Sequence, residues 1–368
     1  MRRRQFLELT AFAAGGAVVL TSTPMRALAA KPEFRMKFDT YIAQSAAPSQ
    51  LDNWFLDEVV KRSEGRIQIR KYWAQSLNKV GEHLTAVRDG RSEISLISPG
   101  YYQANLPVTR GLEWYYRMER ADALQKVCRD VYNQFQPLRD EWEKRYNAKV
   151  LYWTNWYYAP LVTREPVNSI EDLKGKRIRG YGVATDVIQR LGGTALPMAA
   201  PEVYTALERG VLDGVYGFDF VTAIGYKLHE IAPYITDIGD GPHAPATTIM
   251  HMGTWNALPD DLKEVINEVV EKIYAGRYAE IFEAAARKSV EQAMKEGARF
   301  SAWSDTEKQR AREIVQPKQV QLWIDQVAKP NGIDGEAMQE IVEKAIAKHE
   351  PTGQLKRPFE IYNELKNA

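Results

Sequence analysis

The residues best suited to chemistry lie in one short segment, KGKRIRGY, at positions 174–181. The segment follows a turn and resembles a buried strand, yet it is rich in cations. Strand alternation places Arg177 and Arg179 on one face and Ile178 on the other. Two exposed arginines on an edge strand would be the structural interpretation of this pattern. The functional interpretation is that one guanidinium faces an anionic ligand.

The position of Arg179 favours the second interpretation. It stands near the carboxyl end of its predicted strand, and ligands of α/β proteins bind in the crevice beyond the carboxyl ends of strands. In a two-lobed protein, the natural site is the cleft between the lobes. A guanidinium there can hold a carboxylate through two parallel hydrogen bonds. The loop after the strand, Tyr181 to Ala184, is expected to lie alongside.

Aromatic residues cluster in two further segments, LYWTNWYYAPL at residues 151–161 and SPGYY at residues 98–102. Large lobes bury many aromatic side chains, so each of these residues also fits a core position. As a group they fit a cleft wall that stacks on an organic ligand. Trp156, Tyr157 and Tyr101 are the candidates for such contacts.

The sequence offers little for catalysis. The five histidines lack close metal-ligand spacing, and HExxH, GxSxG, paired CxxC and P-loop motifs are all missing from the sequence. Cys128, the one cysteine, lies in an apparent helix where a buried thiol is expected. We therefore predict a protein that is not an enzyme and has no cofactor and no metal site.

Two stretches 120 positions apart repeat one order of elements. EHLTAVRDGRSEISLI from Glu82 and EVYTALERGVLDGVYG from Glu202 each predict a helix, a glycine cap and a short strand. Further strands and helices alternate upstream of both, which is typical of parallel or mixed sheets covered by helices. The repeat predicts two similar α/β lobes.

From Pro259 the chain is predicted to be helical for about 37 residues, roughly 55 Å at 1.5 Å per residue. A helix of that length can brace two lobes. The predicted fold is therefore α/β, with two lobes and a long helix bracing both lobes. The predicted divisions are lobe one at 31–153 with a returning segment near 245–285, lobe two at 154–244, the long helix at 259–300, and carboxy-terminal helices at 301–368.

The amino terminus predicts export. Residues 1–30 combine a basic start, an apolar run of twelve residues and the small-residue pattern Ala27-Leu28-Ala29, as in a cleavable signal peptide. Arg3-Arg4 resembles a twin-arginine signal, while Glu8 leaves ordinary Sec export open. Because this segment holds four arginines and one glutamate, its removal leaves 45 basic and 47 acidic residues. That balance argues against a nucleic-acid partner and fits a soluble periplasmic protein.

The segment DLKGKRIRGYGVATDVIQRLGGTALPMAAPEVYTALERGVLDGVYG, beginning at Asp172, resembles the signature region of a known family. The family is that of the solute-binding proteins of tripartite ATP-independent periplasmic (TRAP) transporters, the DctP-like proteins. KRSEGRIQIRKYWAQSLNKVGEHLTAVRDGRSEISLIS resembles its first-lobe pattern, and MGTWNALPDDLKEVI resembles its entry into the long helix. The likeness covers most of residues 35–290.

The resemblance implies a two-lobed periplasmic binding protein with a long helix bracing both lobes. Its ligand would be enclosed between the closing lobes and delivered to membrane permease subunits driven by an ion gradient. Arg179 matches the carboxylate-binding arginine of the family, which leaves Arg177 structural or exposed. Where many members carry an acid, asparagine or tryptophan after Asp-Gly, this chain has Val215 to Asp219. Tyr216 and Phe218 favour an apolar or aromatic organic acid.

The remaining candidate contacts come from both lobes. Glu82 also fits an acid favoured by a helix start. The full set of predicted substrate-binding residues is Arg179, Trp156, Tyr157, Tyr181, Tyr216, Phe218 and Asp219 with Tyr101, Glu82 and the segment Gln44 to Ala47 around Ala46.

Three other functions remain open from the sequence. A periplasmic receptor could present its ligand to a sensor instead of a permease. An exported enzyme acting on organic acids would turn over the ligand that it binds. A scaffold role is the least compatible, because a scaffold needs no cleft with an arginine at a strand end.

Overall fold

The structure is a computed structural model that describes residues 32–242 and 244–368. The predicted export signal, residues 1–30, lies outside the described residues. The strands are β1 (Phe34–Asp39), β2 (Ile67–Tyr72), β3 (Ile94–Ile97), β4 (Ala148–Asn155), β5 (Leu161–Thr163), β6 (Arg177–Gly180), β7 (Thr194–Pro197), β8 (Gly214–Val215), β9 (Tyr234–Asp237), β10 (Pro245–His251) and β11 (Arg299–Ala302).

Helices cover both sheets and form most of the carboxy-terminal third. They are α1 (Ala47–Arg62), α2 (His83–Arg88), α3 (Ala121–Gln134), α4 (Gln136–Asp140), α5 (Ala184–Arg190), α6 (Val203–Glu208), α7 (Phe220–Gly225), α8 (Leu228–Ile231), α9 (Met252–Ala257), α10 (Asp260–Lys272), α11 (Tyr278–Lys295), α12 (Asp305–Trp323), α13 (Gly335–His349) and α14 (Pro358–Asn367). Among these described helices, none is long and apolar enough to cross a lipid bilayer.

The first sheet has the strand order β2-β1-β3-β10-β4. β1 is parallel to β2 and β3, whereas β10 is antiparallel to β3 and β4. β4 keeps its place in this sheet as far as Asn155, two residues beyond the predicted division at 153. β10 supplies a strand that returns to this sheet from the second half of the chain.

The second sheet has the order β11-β9-β5-β8-β6-β7. β6 is parallel to β7 and β8, while β5 is antiparallel to β8 and β9. The edge strand β11 pairs in parallel with β9. The chain therefore completes the second sheet only after it has passed through the long helical region.

The predicted repeat has a structural counterpart in each sheet. α2 leads to β3, and α6 leads to β8. Gly90 and Gly210 follow the two helices with φ angles of 68° and 71°. Glycine adopts this left-handed conformation without the steric penalty of a Cβ atom, so it ends each helix and turns the chain toward a strand.

Besides the helical region between β10 and β11, two short crossing segments connect the sheets. One runs from β4 to β5 and the other from β9 to β10, and the Trp156 N–H donates to the Ala244 carbonyl oxygen at 3.1 Å. This hydrogen bond ties the two crossing segments together. The mixed sheets, their helical cover and the two crossings confirm the predicted two-lobed α/β fold.

The predicted long helix is interrupted once. α10 and α11 are joined by a π-helical turn, Ile273–Arg277, in which Gly276 has a φ of 140°. The sequence predicted the helical region but not this interruption, at which the π turn inserts an extra residue and bends the helix. α10 packs on α1 and β4, and α11 packs on α1, α7 and α14. The pair consequently touches elements of both lobes.

Candidate functional site

Arg179 lies near the carboxyl end of β6, and its side chain reaches Tyr101 of the first lobe. Ile178 is fully buried in the hydrophobic core, while Arg177 at the strand start is exposed and forms a bidentate ion pair with Asp213. Arg179 itself is only 1% exposed. Strand alternation predicts the shared face of the two arginines, but alternation alone does not distinguish the buried Arg179 from the exposed Arg177.

The Arg179 guanidinium is held by neutral oxygen atoms. Its Nε donates to the Met198 carbonyl oxygen at 3.0 Å, and its Nη1 donates to the carbonyl oxygens of Tyr216 and Gly217 at 3.3 and 3.2 Å. Within residues 32–242 and 244–368 it forms no ion pair. A buried cation without a carboxylate partner is unusual in a folded protein, because desolvation of a charge is costly. The arrangement therefore favours an anionic ligand.

Tyr101 brings the first lobe to this arginine. Its hydroxyl oxygen accepts hydrogen bonds from Arg179 Nη2 at 3.3 Å and from the Ala200 N–H at 3.1 Å. Because both contacts use the oxygen as acceptor, the hydroxyl proton stays available for a further acceptor. Nη2 also keeps a second N–H, since one of its two hydrogens is directed to Tyr101. These two donors lie side by side.

Aromatic rings surround the guanidinium. The Arg179 Cζ atom lies 4.9 Å from the ring centre of Tyr181 and 4.5 Å from that of Phe218. Tyr101 stacks on Tyr181 with ring centres 5.0 Å apart, and Tyr41 meets Tyr101 edge-on at 5.0 Å. A small cavity of about 10 Å³ lies among the lining residues Tyr41, Ile42, Tyr101, Trp156, Arg179, Tyr181, Ala200, Gly217, Phe218 and Thr222. We call this space the Arg179 cavity.

The phenols of the cavity are kept neutral by their surroundings. Burial raises the pKa of Tyr41 well above its usual value, and burial likewise raises the pKa of Tyr181. Neutral hydroxyls can donate to an anion without repelling it. The Trp156 indole N–H donates to Ser98 Oγ at 3.2 Å, and that hydroxyl also lies 3.3 Å from the Tyr181 hydroxyl. This chain of contacts fixes the orientation of the aromatic rings.

The lobes touch directly beside the cavity at two glycines. Gly100 follows β3, and Gly182 follows β6. A Cβ atom on Gly100 would lie 2.6 Å from a ring carbon of Tyr181, and one on Gly182 would lie 3.0 Å from the Gly100 Cα atom. Side chains at either position would push the loops apart. The sequence therefore contains glycine at the point of closest approach between the two lobes.

Five of the predicted residues come together at the cavity, namely Arg179, Tyr101, Trp156, Tyr181 and Phe218. Two other predicted aromatics point elsewhere. The Tyr157 hydroxyl donates to the Lys356 carbonyl oxygen in the core. The Tyr216 hydroxyl donates to the Asp240 carboxylate, so only the main chain of Tyr216 reaches Arg179.

The structure places the remaining predicted residues outside the cavity lining. Asp219 caps α7 by accepting a hydrogen bond from the Thr222 N–H at 2.9 Å, and burial raises its pKa to about 7. Glu82 is exposed and accepts from the Lys79 N–H at 2.8 Å at the start of α2. Ala46 precedes α1 and is fully buried, whereas Gln44 faces solvent. The ligand-facing segment after β1 is Tyr41 and Ile42, a few residues earlier than predicted.

Ligands of α/β proteins bind beyond the carboxyl ends of strands, and this rule, which pointed to Arg179, also identifies residues that the sequence analysis missed. Tyr41 and Ile42 follow the carboxyl end of β1, and Ser98 follows that of β3. Ala200 contributes a main-chain N–H, which no side-chain pattern reveals. In the described part of the chain, no group of three or more His, Cys, Asp or Glu side chains is arranged to hold a metal ion.

Known proteins share this architecture. A TRAP solute-binding protein from Rhodoferax ferrireducens T118, solved with copurified benzoate, superposes with a TM-score of 0.78 at 22% identity, covering 87% of this chain and 99% of that one. A marine metagenome TRAP protein specific for aromatic acid ligands, solved with metahydroxyphenylacetate, gives 0.77 at 23% identity, covering 86% and 99%. At these identities the likeness demonstrates the fold.

Curated relatives are also recognisable from sequence. A solute-binding protein of Sulfitobacter sp. strain NAS-14.1 is 27% identical over half of this chain, and the match spans 55% of that relative's length. The sialic acid-binding periplasmic protein SiaP of Vibrio cholerae is 24% identical over 59% of this chain and 67% of its own. The profile of one family, bacterial extracellular solute-binding protein, family 7, matches residues 43–326. The chain belongs to this family, the DctP family of TRAP solute-binding proteins.

Proposed function

We propose that the protein is the periplasmic receptor of a TRAP transporter and binds a small aromatic or apolar carboxylate in the Arg179 cavity. The observation that carries this proposal is the buried guanidinium of Arg179, which has no ion pair among the described residues and faces aromatic rings. The receptor then delivers its ligand to membrane permease subunits, as in its family. The amino-terminal segment 1–30 is proposed to direct its export.

The carboxylate is bound by donors from both lobes. One oxygen accepts hydrogen bonds from the free N–H of Arg179 Nη2 and from the Tyr101 hydroxyl. Charge-assisted hydrogen bonds of this kind are shorter and stronger than those between neutral groups. Because Tyr101 belongs to the first lobe and Arg179 to the second, the ligand stabilises the closed arrangement over the open one.

The body of the ligand is proposed to be apolar or aromatic. The cavity lining includes Tyr41, Trp156 and Phe218, which provide aromatic rings and no charge. A second carboxylate would find no further unpaired cation among the residues that line the cavity. The benzoate and metahydroxyphenylacetate complexes of similar proteins support this ligand class. The protein is proposed to bind its ligand without converting it. Asp219, the first acid after the Asp-Gly motif, is already engaged as the cap of α7.

The proposal is tested by thermal unfolding and calorimetry of the mature chain, refolded to remove carried-over ligand. The panel contains benzoate, 3-hydroxybenzoate, mandelate, succinate and acetate. An aromatic monocarboxylate at 100 times its dissociation constant adds about 2.7 kcal/mol of stability, which shifts the midpoint by several degrees. Succinate is expected to bind more weakly.

Two arginine variants provide a matched comparison. Arg179→Ala is expected to weaken binding by about a hundredfold or more, because each charged hydrogen bond is worth about 1.5–3 kcal/mol. Arg177→Ala removes an arginine from the same strand whose partner is Asp213, so the affinity should stay the same. Equal affinity in Arg179→Ala and the parent chain would remove Arg179 from the site. A folded protein that binds none of these acids would contradict the proposed ligand class.

A further inference from the structure

A larger groove lies apart from the Arg179 cavity. It is bounded by the segment Arg110–Trp114, by α5 and its preceding residue Val183, and by α12 with the turn that follows it. The groove has a cavity volume of about 420 Å³, compared with about 10 Å³ for the Arg179 cavity. Gln319 of α12 fixes its base by accepting from the Tyr115 N–H at 3.1 Å and donating to the Tyr115 carbonyl oxygen at 3.0 Å.

Two neighbouring residues of the groove carry buried polar atoms that lack partners. Glu113 is 4% exposed, and its Oε2 atom has no hydrogen bond within the described chain. Trp114 is 7% exposed, and its Nε1 donor is likewise unpaired there. Burial raises the pKa of Glu113 to about 7 although Arg110 opposes the shift. Native proteins satisfy most buried polar groups, so an unpaired buried carboxylate requires an explanation.

The rim of the groove carries unpaired charges of both signs. Arg110, Asp186 and Arg190 line it, and none of the three forms an ion pair with another described residue. Some other charged side chains in the same lobe are paired, as in the Arg177–Asp213 and Lys176–Glu165 ion pairs. With Glu113 included, the groove holds two positive and two negative side chains. This balance favours a ligand that carries both charges.

The remaining wall is apolar. Val187 and Val315 line one side, and Trp114 meets Trp323 edge-on with ring centres 6.2 Å apart. Ligand sites typically combine such apolar walls with a few polar groups that set orientation. A branched aliphatic or aromatic side chain fits between these residues.

We propose that this groove is a second ligand site, which binds a zwitterionic α-amino acid with an apolar side chain. The ammonium group donates to the Glu113 carboxylate, and the ligand carboxylate accepts from Arg110 and Arg190. The apolar side chain packs on Trp114 and the valines. The site is separate from the Arg179 cavity and does not depend on what that cavity binds.

The experiment measures binding of L-leucine, L-valine and L-phenylalanine to the mature protein by calorimetry. At least one is expected to bind, and Glu113→Gln and Arg190→Gln are each expected to weaken that binding by about tenfold or more, since each removes a charged hydrogen-bonding partner. N-acetyl-leucine lacks the ammonium group and leucinamide lacks the carboxylate, so both should bind more weakly than leucine. Arg209→Gln, an exposed arginine of the same lobe outside the groove, should have no effect.

A second series separates the two sites. Arg179→Ala should leave leucine binding intact, and Glu113→Gln should leave benzoate binding intact. Melting curves establish that each variant is folded, and the surface substitution Arg190→Gln tests the groove even if Glu113→Gln impairs folding. Loss of leucine binding in Arg179→Ala would place the amino acid in the Arg179 cavity and overturn the proposal. Failure of all three amino acids to bind the folded protein would also overturn it, whatever the acids of the first panel do.

Discussion

At the scale of single residues, the hydroxyl of Tyr101 is the contact most open to a precise test. It accepts from Arg179 Nη2 and from the Ala200 N–H, so its proton stays available for a third partner. Tyr101→Phe keeps the ring that stacks on Tyr181 and removes only this donor and acceptor. We expect the affinity for the carboxylate ligand to fall about tenfold, since a hydrogen bond to a charged group is worth about 1.5–3 kcal/mol. Calorimetry at constant pH measures the loss.

Tyr102→Phe is the matched control. This neighbouring phenol is buried and accepts from the Leu84 N–H at 3.4 Å, away from the cavity lining. Its loss should change the melting temperature and leave the affinity unaltered. If both variants bind the carboxylate ligand as tightly as the parent chain does, the Tyr101 hydroxyl does not contact the carboxylate.

Individual site residues were predictable to the extent that strand geometry determines them. Arg179 could be found because it ends a strand, and the same rule applies to Tyr41. The side chain of Tyr157 could not be placed, since its direction depends on a left-handed backbone with a φ of 44° in the crossing segment. Of the predicted acids, Asp219 caps α7, and Glu82 accepts from the Lys79 N–H just before α2. Local hydrogen bonding of acids to main-chain N–H groups competes with ligand binding and cannot be separated from it by sequence alone.

At the scale of elements, lobe closure depends on the close approach of the loops after β3 and β6. Gly100→Ala introduces a Cβ atom 2.6 Å from Tyr181, and a contact under 3.0 Å forces the loops apart. We expect ligand affinity to fall about tenfold, or about 1.4 kcal/mol, because closure becomes less favourable. Each lobe should remain folded, since the new atom lies at the surface between them. Calorimetry and melting curves measure the two quantities separately.

Gly192→Ala provides the control for a glycine substitution. Gly192 has a φ of 89°, and a Cβ atom there would meet nothing within 4 Å. The variant should lose stability through backbone strain and keep its affinity. An unchanged affinity in Gly100→Ala would show that the glycine contact does not limit closure.

Elements were more predictable than their ends. The order helix, glycine, strand repeats in both lobes because a glycine with positive φ ends each helix locally. The pairing of β11 with β9 was not visible in the sequence, because it joins residues 65 positions apart through tertiary packing. Gly276 was the sequence signal for the turn between α10 and α11, but glycine alone does not distinguish a π turn from a tolerated helix residue.

At the scale of the whole molecule, several buried acids respond to pH in the same direction. Burial raises the pKa to about 7 for Asp52, Glu113, Glu141 and Asp219. Most exposed acids with resolved shifts instead have lowered pKa values because of ion pairs, as for Asp213 beside Arg177. The stabilising contribution of these ion-paired acids is complete above about pH 4 and is lost only as the pH falls further. The ion-paired acids therefore contribute little to any change in stability between pH 5 and 8.

Between about pH 4 and 7, the folded chain retains protons on these four acids that the unfolded chain has released. The free energy of unfolding should therefore decline from pH 5 to pH 8, as measured by denaturant unfolding in buffers of equal ionic strength. Glu113→Gln should reduce this slope by up to about 1.4 kcal/mol per pH unit, the effect of one proton, because Gln cannot titrate. Glu82→Gln, at an exposed acid, should leave the slope unchanged. A free energy that stays constant from pH 5 to 8 in the parent chain would mean that these carboxyls reach solvent when folded.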